Sequence, residues 1–250
     1  TSLSGMVSLI KRIAVIAFMI EGIGAILLGT YLLYDYPWYE AFYLGLFHAV
    51  SAFTHAGFDL FGDSLIGYQI DLFMNSTVML LIILGGVGYP VLIELMEYRR
   101  KRRLSLHSKL SLSVYFFLLG LGFVVIYLVE AGHAFHDRSL SEGLLISMFT
   151  SVTSRSAGLA TIDMNAFMLP TLLLITILMY IGASPSSCGG GIRTTTLAIL
   201  ILTIRSFARG EEDVRVMGRE IHPLDVRKAV VVGLTAVGLL PIAVSGADIN

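Results

Sequence analysis

Two seven-residue stretches about a hundred positions apart hold the residues best suited to exposing main-chain chemistry: Ala52-Phe53-Thr54-His55-Ala56-Gly57-Phe58 and Thr153-Ser154-Arg155-Ser156-Ala157-Gly158-Leu159. Each closes a short amphipathic run. Each is followed by a polar or acidic bend and then by a long apolar segment broken by glycines. A monovalent cation leaving water needs its hydration shell replaced, and backbone carbonyl oxygens supply dipoles without an anionic group that would hold the ion too tightly. At Gly57 and Gly158 the missing Cβ permits dihedrals and a close approach to an ion that other residues resist, while Ala56 and Ala157 keep the passage narrow. An Ala-Gly pair can also end an ordinary buried helix with a left-handed cap. Caps alone do not require the whole arrangement to recur, and the repetition points to ion conduction.

Other chemistries find less support. Gly189-Gly190-Gly191 followed by Arg193 and threonines has the flavour of a phosphate-cradling loop. That loop, however, needs G-x-x-x-x-G-K-[ST] after a buried strand, whereas here arginine replaces lysine and the preceding apolar run has membrane length. His133 and His136 are three apart with only Asp137 close by, which reads as a surface loop before a metal pair. No Ser-His-Asp or Cys-His arrangement is present, so no covalent chemistry and no enzyme is expected. The single cysteine, Cys188, excludes an intramolecular disulfide and cannot by itself form a zinc site.

The elements that must position the two loops follow from composition. With 56% hydrophobic residues, 14% charged residues and a mean hydropathy of +0.81, the chain has too much apolar surface for a soluble core to hide. A net charge of -1 gives no reason to expect nucleic acid. A spanning helix needs roughly 20 mostly apolar residues, and residues 13–34, 71–97, 109–129, 168–204 (with an interruption) and 226–245 qualify. The stretches 38–53 and 140–154 contain His48 or Glu142 and small polar residues, too short and too polar to cross alone. They read as half-way helices, which survive at membrane depth only inside protein or beside water.

Lys and Arg are absent from residues 34–69, which hold Asp35, Glu40, Asp59 and Asp63, whereas Arg99-Arg100-Lys101-Arg102-Arg103 and Lys109 crowd the next loop. The second cycle repeats the bias: Glu130, Asp137, Glu142 and Asp163 lie on one side, and Arg205, Arg209, Arg215, Arg219, Arg227 and Lys228 on the other. The basic loops are therefore expected in the cytoplasm, with both Ala-Gly loops opening outward. The fold class is all-α integral membrane, with repeated helix–pore-loop–helix units as in K+ channels. Thr1 opens the chain without a methionine, as expected of an interior piece or a processed chain.

The two loops, together with Ser184-Pro185-Ser186-Ser187-Cys188-Gly189-Gly190-Gly191-Ile192-Arg193-Thr194-Thr195-Thr196, resemble the Trk/Ktr/HKT superfamily of potassium transporters, most nearly the bacterial KtrB and TrkH type of membrane subunit. The resemblance implies a pseudo-fourfold pore of four helix–pore-loop–helix repeats, of which about half is present. Residues 1–105 would be the second repeat, 106–220 the third, and 221–250 the first helix of the fourth. It implies a selectivity-filter backbone at Thr54, His55, Ala56, Gly57 and Phe58 and at Arg155, Ser156, Ala157, Gly158 and Leu159, with K+ held at Ala56, Gly57, Ala157 and Gly158. The segment from Ser184 to Thr196 would be an intramembrane gate beneath the filter, its glycines allowing an irregular crossing at membrane depth.

Arg155, a cation beside a cation path, is expected to point behind the filter toward a carboxylate or carbonyl oxygens; Arg193 needs a partner of the same kind. Asp59 and Asp63 either concentrate cations at the mouth or are plain solvated residues. The implied transported ion is K+, with Na+ a candidate coupling or activating ion. The implied partners are a second copy in a homodimer and a cytosolic, nucleotide-binding KtrA/TrkA-like regulatory ring, met through basic loops 97–109 and 205–228. Those loops could equally meet anionic lipid, or simply set topology. The alternatives are a transporter for another monovalent cation such as sodium, or a structural membrane scaffold in which Gly85, Gly86 and Gly88 pack helices closely. A scaffold leaves the duplicated polar loop unexplained.

Overall fold

The computed structural model describes residues 3–210, 215–216, 219–220 and 224–235. Eight helices run in the order α1 (Leu3–Leu32), α2 (Trp38–Thr54), α3 (Leu72–Val87), α4 (Tyr89–Lys101), α5 (Leu106–Glu130), α6 (Leu140–Thr153), α7 (Leu169–Tyr180) and α8 (Thr194–Ala208). A two-residue antiparallel pairing of Arg215–Val216 with Arg219–Glu220 and a helix over 224–235 follow.

Local chemistry sets the boundaries. Asp71 caps α3 by accepting from the Met74 N–H, Ser105 caps α5 through Ser108, and Ser139 with Glu142 forms a reciprocal capping box on α6. Pro37 precedes α2, and prolines occupy the first turns of α4 and α7, where a missing N–H costs nothing.

The chain is built twice on one plan: a long helix (α1, α5), a half-length helix (α2, α6), an irregular turn, and a return helix broken in two (α3–α4, α7–α8). Gly5–Leu32 and Leu106–Glu130 are long and apolar enough to cross a membrane, and outward side chains such as Phe18 and Phe117 are exposed, as lipid contact requires.

One sequence expectation changes, one holds and one is seen in part. Residues 71–97 are not one continuous helix, because the chain bends by 104° between α3 and α4. Residues 168–204 carry the expected interruption, as two short helices separated by 181–193. Of the expected 226–245 segment, helix is seen through residue 235, and 236–245 lie outside the described residues.

The most extensive interface joins α1 to α2. Its backbones nearly touch: a Cβ on Gly45 would lie 2.5 Å from the Gly29 nitrogen and 2.7 Å from its Cα. Gly45→Ala is therefore expected to separate the two helices, with a loss of about 1–3 kcal/mol, read as a lower melting temperature of the purified protein in detergent. The far ends of the long helices are braced to the return helices in both repeats. The Tyr31 hydroxyl donates to Asp71, while buried Glu130 accepts from the Met168 N–H at 2.9 Å and from Thr171 Oγ1 at 2.5 Å. Each half-length helix is thus held in a frame with fixed corners.

Candidate functional site

The half-length helices end where the two Ala-Gly stretches begin. α2 closes at His55, whose φ of 58° is left-handed, and Gly57 follows at φ 73°. In the second repeat Ser156 and Gly158 repeat the pattern, at φ 71° and 82°. Left-handed backbone favours glycine, which explains Gly57 and Gly158; His55 and Ser156 hold it as non-glycine residues. The turns face each other. A Cβ on Gly57 would come 2.9 Å from the Ala157 carbonyl oxygen and 3.2 Å from Gly158 Cα, and one on Gly158 would come 3.1 Å from Gly57 Cα. Neither turn is wound into continuous helix.

The C-terminal ends of α2 and α6 both lead into this junction, each adding roughly half an elementary negative charge. Ala56 and Gly158 are exposed, Gly57 is half-buried, and Ala157 is buried. Thr54 is the last residue of α2, and Arg155 still sits in the terminal turn of α6, its N–H on the Val152 carbonyl at 3.2 Å.

Hydroxyls on the half-length helices brace each turn from behind. Ser51 Oγ donates to the Phe58 carbonyl at 2.6 Å, and Thr153 Oγ1 to the Leu159 carbonyl at 2.5 Å. Each bond fixes the carbonyl just after the glycine and engages one of its lone pairs. Because a hydrogen bond contributes about 1 kcal/mol net, Ser51→Ala and Thr153→Val are each expected to lower K+/Na+ discrimination by about fivefold, measured as competition of Na+ with Rb+ uptake.

The segments after the two turns are stitched together: the Leu65 N–H donates to the Ala160 carbonyl at 2.9 Å, and the Ala160 N–H to Ser64 Oγ at 2.9 Å. Asp59 closes the bend between them, accepting from the N–H groups of Gly62 at 2.7 Å and Ser64 at 3.1 Å. That structural duty is a third reading beside the two considered from sequence. Arg138, passed over in sequence among the acidic residues near it, donates to Gln69 Oε1 at 2.8 Å and ties the repeats again.

Two side chains run back from the turns. Arg155 is fully buried; its Nη2 donates to the Gly182 carbonyl at 2.5 Å and its guanidinium lies 5.0 Å from the centre of the Tyr115 ring. The partner is a carbonyl oxygen, and no carboxylate among the described residues pairs with it. His55 Nε2 donates to the Ile82 carbonyl at 2.8 Å, and its ring packs against Gly85, Gly86 and Gly189.

The glycine-rich segment lies against the break between α3 and α4. Its N–H groups at Ser184 and Cys188 donate to the carbonyls of Gly86 (3.0 Å) and Gly85 (3.1 Å), and the Tyr89 N–H returns a bond to Ser186 at 3.0 Å. Tyr89 also places its hydroxyl 3.4 Å from Cys188 Sγ. A 104° bend strips main-chain groups of their helical partners, and the glycine loop supplies replacements, so two irregular segments satisfy each other. Gly88, at φ 93°, packs so closely that a Cβ would strike the Pro185 carbonyl oxygen.

The base of the loop is closed by Ala183 N–H to Gly190 (3.1 Å) and Ile192 N–H to Tyr180 (2.9 Å), and Arg193 Nη1 donates to Gly189 at 2.7 Å. The irregular stretch ends at Arg193. Thr194, Thr195 and Thr196, included in the gate from sequence, instead form the first turn of α8.

The break at Gly85–Gly88 was missed as a partner of the loop, although Gly-Gly-Val-Gly followed by Tyr-Pro is a helix stop and restart. Its glycines also let helices approach closely, since a Cβ on Gly85 would strike the Phe53 carbonyl oxygen and one on Gly86 would lie 2.7 Å from the Tyr115 hydroxyl. Glu130 was also missed as a brace, its only sequence signal being an acid at the end of an apolar run. His133 faces Glu130 at 3.4 Å and His136 faces Asp137 at 2.9 Å, and among the described residues no group of three or more His, Cys, Asp or Glu could hold a metal ion.

Paired half-length helices ending in facing left-handed turns, each followed by a broken return helix, define a membrane protein of the pore-loop class. The TrkH family profile, described as cation transport protein, matches residues 2–245, and the chain belongs to that family. It is 43% identical to Ktr system potassium uptake protein D of Bacillus subtilis, over 95% of this chain and 54% of that protein. It is 35% identical to potassium/sodium uptake protein NtpJ of Enterococcus hirae, over 97% of this chain and 54% of that protein. The crystal structure of the potassium transporter TrkH from Vibrio parahaemolyticus superposes with a TM-score of 0.76 at 18% identity, covering 93% of this chain and 49% of that one, a likeness of fold. The chain spans about half the length of these relatives.

Proposed function

We propose that this chain supplies two of four pore-loop repeats, the second and third with the start of the fourth, of a membrane subunit that takes up potassium across the plasma membrane. The observation that supports this most directly is the meeting of Gly57 and Gly158 at the ends of two half-length helices. Carbonyls of the turns from Thr54 to Phe58 and from Arg155 to Leu159 would replace water around K+, those of Ala56, Gly57, Ala157 and Gly158 nearest the ion. The glycine-rich segment from Ser184 to Arg193 would be the gate beneath them. The basic loops would face the cytoplasm, and the subunit would work as a homodimer on a nucleotide-binding regulatory ring, as the resemblance implies.

Sodium is the second reading, as a coupling ion or as cargo, because one relative at 35% identity is named a potassium/sodium uptake protein. The test is Rb+ uptake by the full-length protein in cells lacking their own potassium uptake, with and without Na+. Saturable Rb+ influx supports potassium uptake; Na+ stimulation marks coupling, and Na+ influx without Rb+ influx favours sodium as cargo. No influx of either ion contradicts both readings.

A further inference from the structure

Arg155 presents a physical problem that its place beside the filter does not answer. It is wholly buried, yet its Nε and Nη1 have no hydrogen-bond partner among the described residues, and the one hydrogen bond of its guanidinium there is to the Gly182 carbonyl. A buried cation so sparsely compensated is costly, and an apolar side chain of similar volume would fill the space without burying charge. The Tyr115 face and the C-terminal end of α6 offset part of that cost, and both leave the guanidinium aimed at Gly182.

Gly182 is the point where α7 has just ended and the glycine-rich loop begins. It is pinned from the other side as well, because a Cβ there would coincide with the Gly190 carbonyl of the loop's returning limb. The filter turn of the third repeat and the base of the loop therefore meet through one guanidinium. We propose that Arg155 is a positioning residue that couples the two, so that the filter turn keeps its shape only while the base of the loop is held, and loosening one loosens the other. The inference rests on the reading of these turns as a filter above a gate.

The experiment uses the full-length transporter in proteoliposomes, with cysteines outside this chain replaced so that Cys188, half-buried in the loop, reports loop opening by its rate of thiol modification. Arg155→Met and Arg155→Lys are compared with the parent for that rate and for Na+ competition against Rb+ flux. Losing one charge-assisted hydrogen bond should raise Cys188 modification in Arg155→Met by about tenfold and lower discrimination by about the same factor, with Arg155→Lys recovering part of both. If Arg155→Met does not accumulate as folded protein, Arg155→Lys decides, with an expected rise of about threefold in the Cys188 rate. Selectivity lost with an unchanged Cys188 rate overturns the coupling, as does a parental rate in both variants. A parent protein with no Rb+ flux would refute the transport reading instead, and the response of Cys188 to Arg155 would still be read separately.

Discussion

Gly57→Val is expected to lower discrimination of K+ over Na+ by roughly a hundredfold, the sum of about 1–2 kcal/mol for forcing a side chain into left-handed backbone and a similar cost for the steric conflict. The conflict is with main chain. At φ 73° the new Cβ would stand 2.9 Å from the Ala157 carbonyl oxygen, one of the four proposed to face the ion, so relief requires the opposite turn to rotate or retreat. Gly158→Val should do less, because its Cβ meets Gly57 Cα at 3.1 Å and no carbonyl oxygen. The ranking, Gly57 more sensitive than Gly158, is a sharper expectation than sensitivity at either site. Rb+ uptake against rising Na+ measures it, and equal or reversed effects would speak against the facing geometry.

Gly88→Ala should act on the other half of the device. The residue sits at φ 93° in the 104° break, and an added Cβ would run into the Pro185 carbonyl of the glycine-rich loop. The loop tip must then leave the break and surrender bonds from Ser184, Cys188 and Tyr89 that satisfy both segments. Combined left-handed strain and overpacking of about 2–4 kcal/mol imply a change of at least thirtyfold in the rate of Cys188 modification, with ungated Rb+ flux. Discrimination between K+ and Na+ should fall by less than in Gly57→Val, because the displaced tip meets the filter turn through a side chain, the His55 ring packed against Gly85, Gly86 and Gly189. A parental Cys188 rate would show that the break and the loop move independently.

The parts of this arrangement that were legible in the sequence are those in which one residue type has few physical uses. A glycine after alanine at the end of a half-length apolar run, occurring twice, points to two loops of irregular main chain, and both half-length helices fall within a residue of their expected bounds. The break between α3 and α4 was not legible in the same way. Its residues are apolar or glycine, so hydropathy runs through the bend, and only Pro90 in the first turn of α4 betrays a new start. Thr194 to Thr196 look irregular in sequence beside three glycines, but threonine tolerates a first helical turn once Arg193 leads into it in extended conformation. Partners distant in sequence, such as Arg155 with Gly182 and Leu65 with Ala160 across the repeats, depend on tertiary placement that no local pattern encodes.

The central claim is that main-chain oxygens of two facing turns take over the hydration of an alkali cation. Its most direct measurement is a structure of the full-length protein with Rb+ in place of K+, the heavy ion located by anomalous scattering. The account predicts a peak between the two turns, coordinated by carbonyls of Ala56, Gly57, Ala157 and Gly158, that is lost in Gly57→Val. A Rb+ peak elsewhere in the membrane, with these carbonyls turned away from it, would contradict the account.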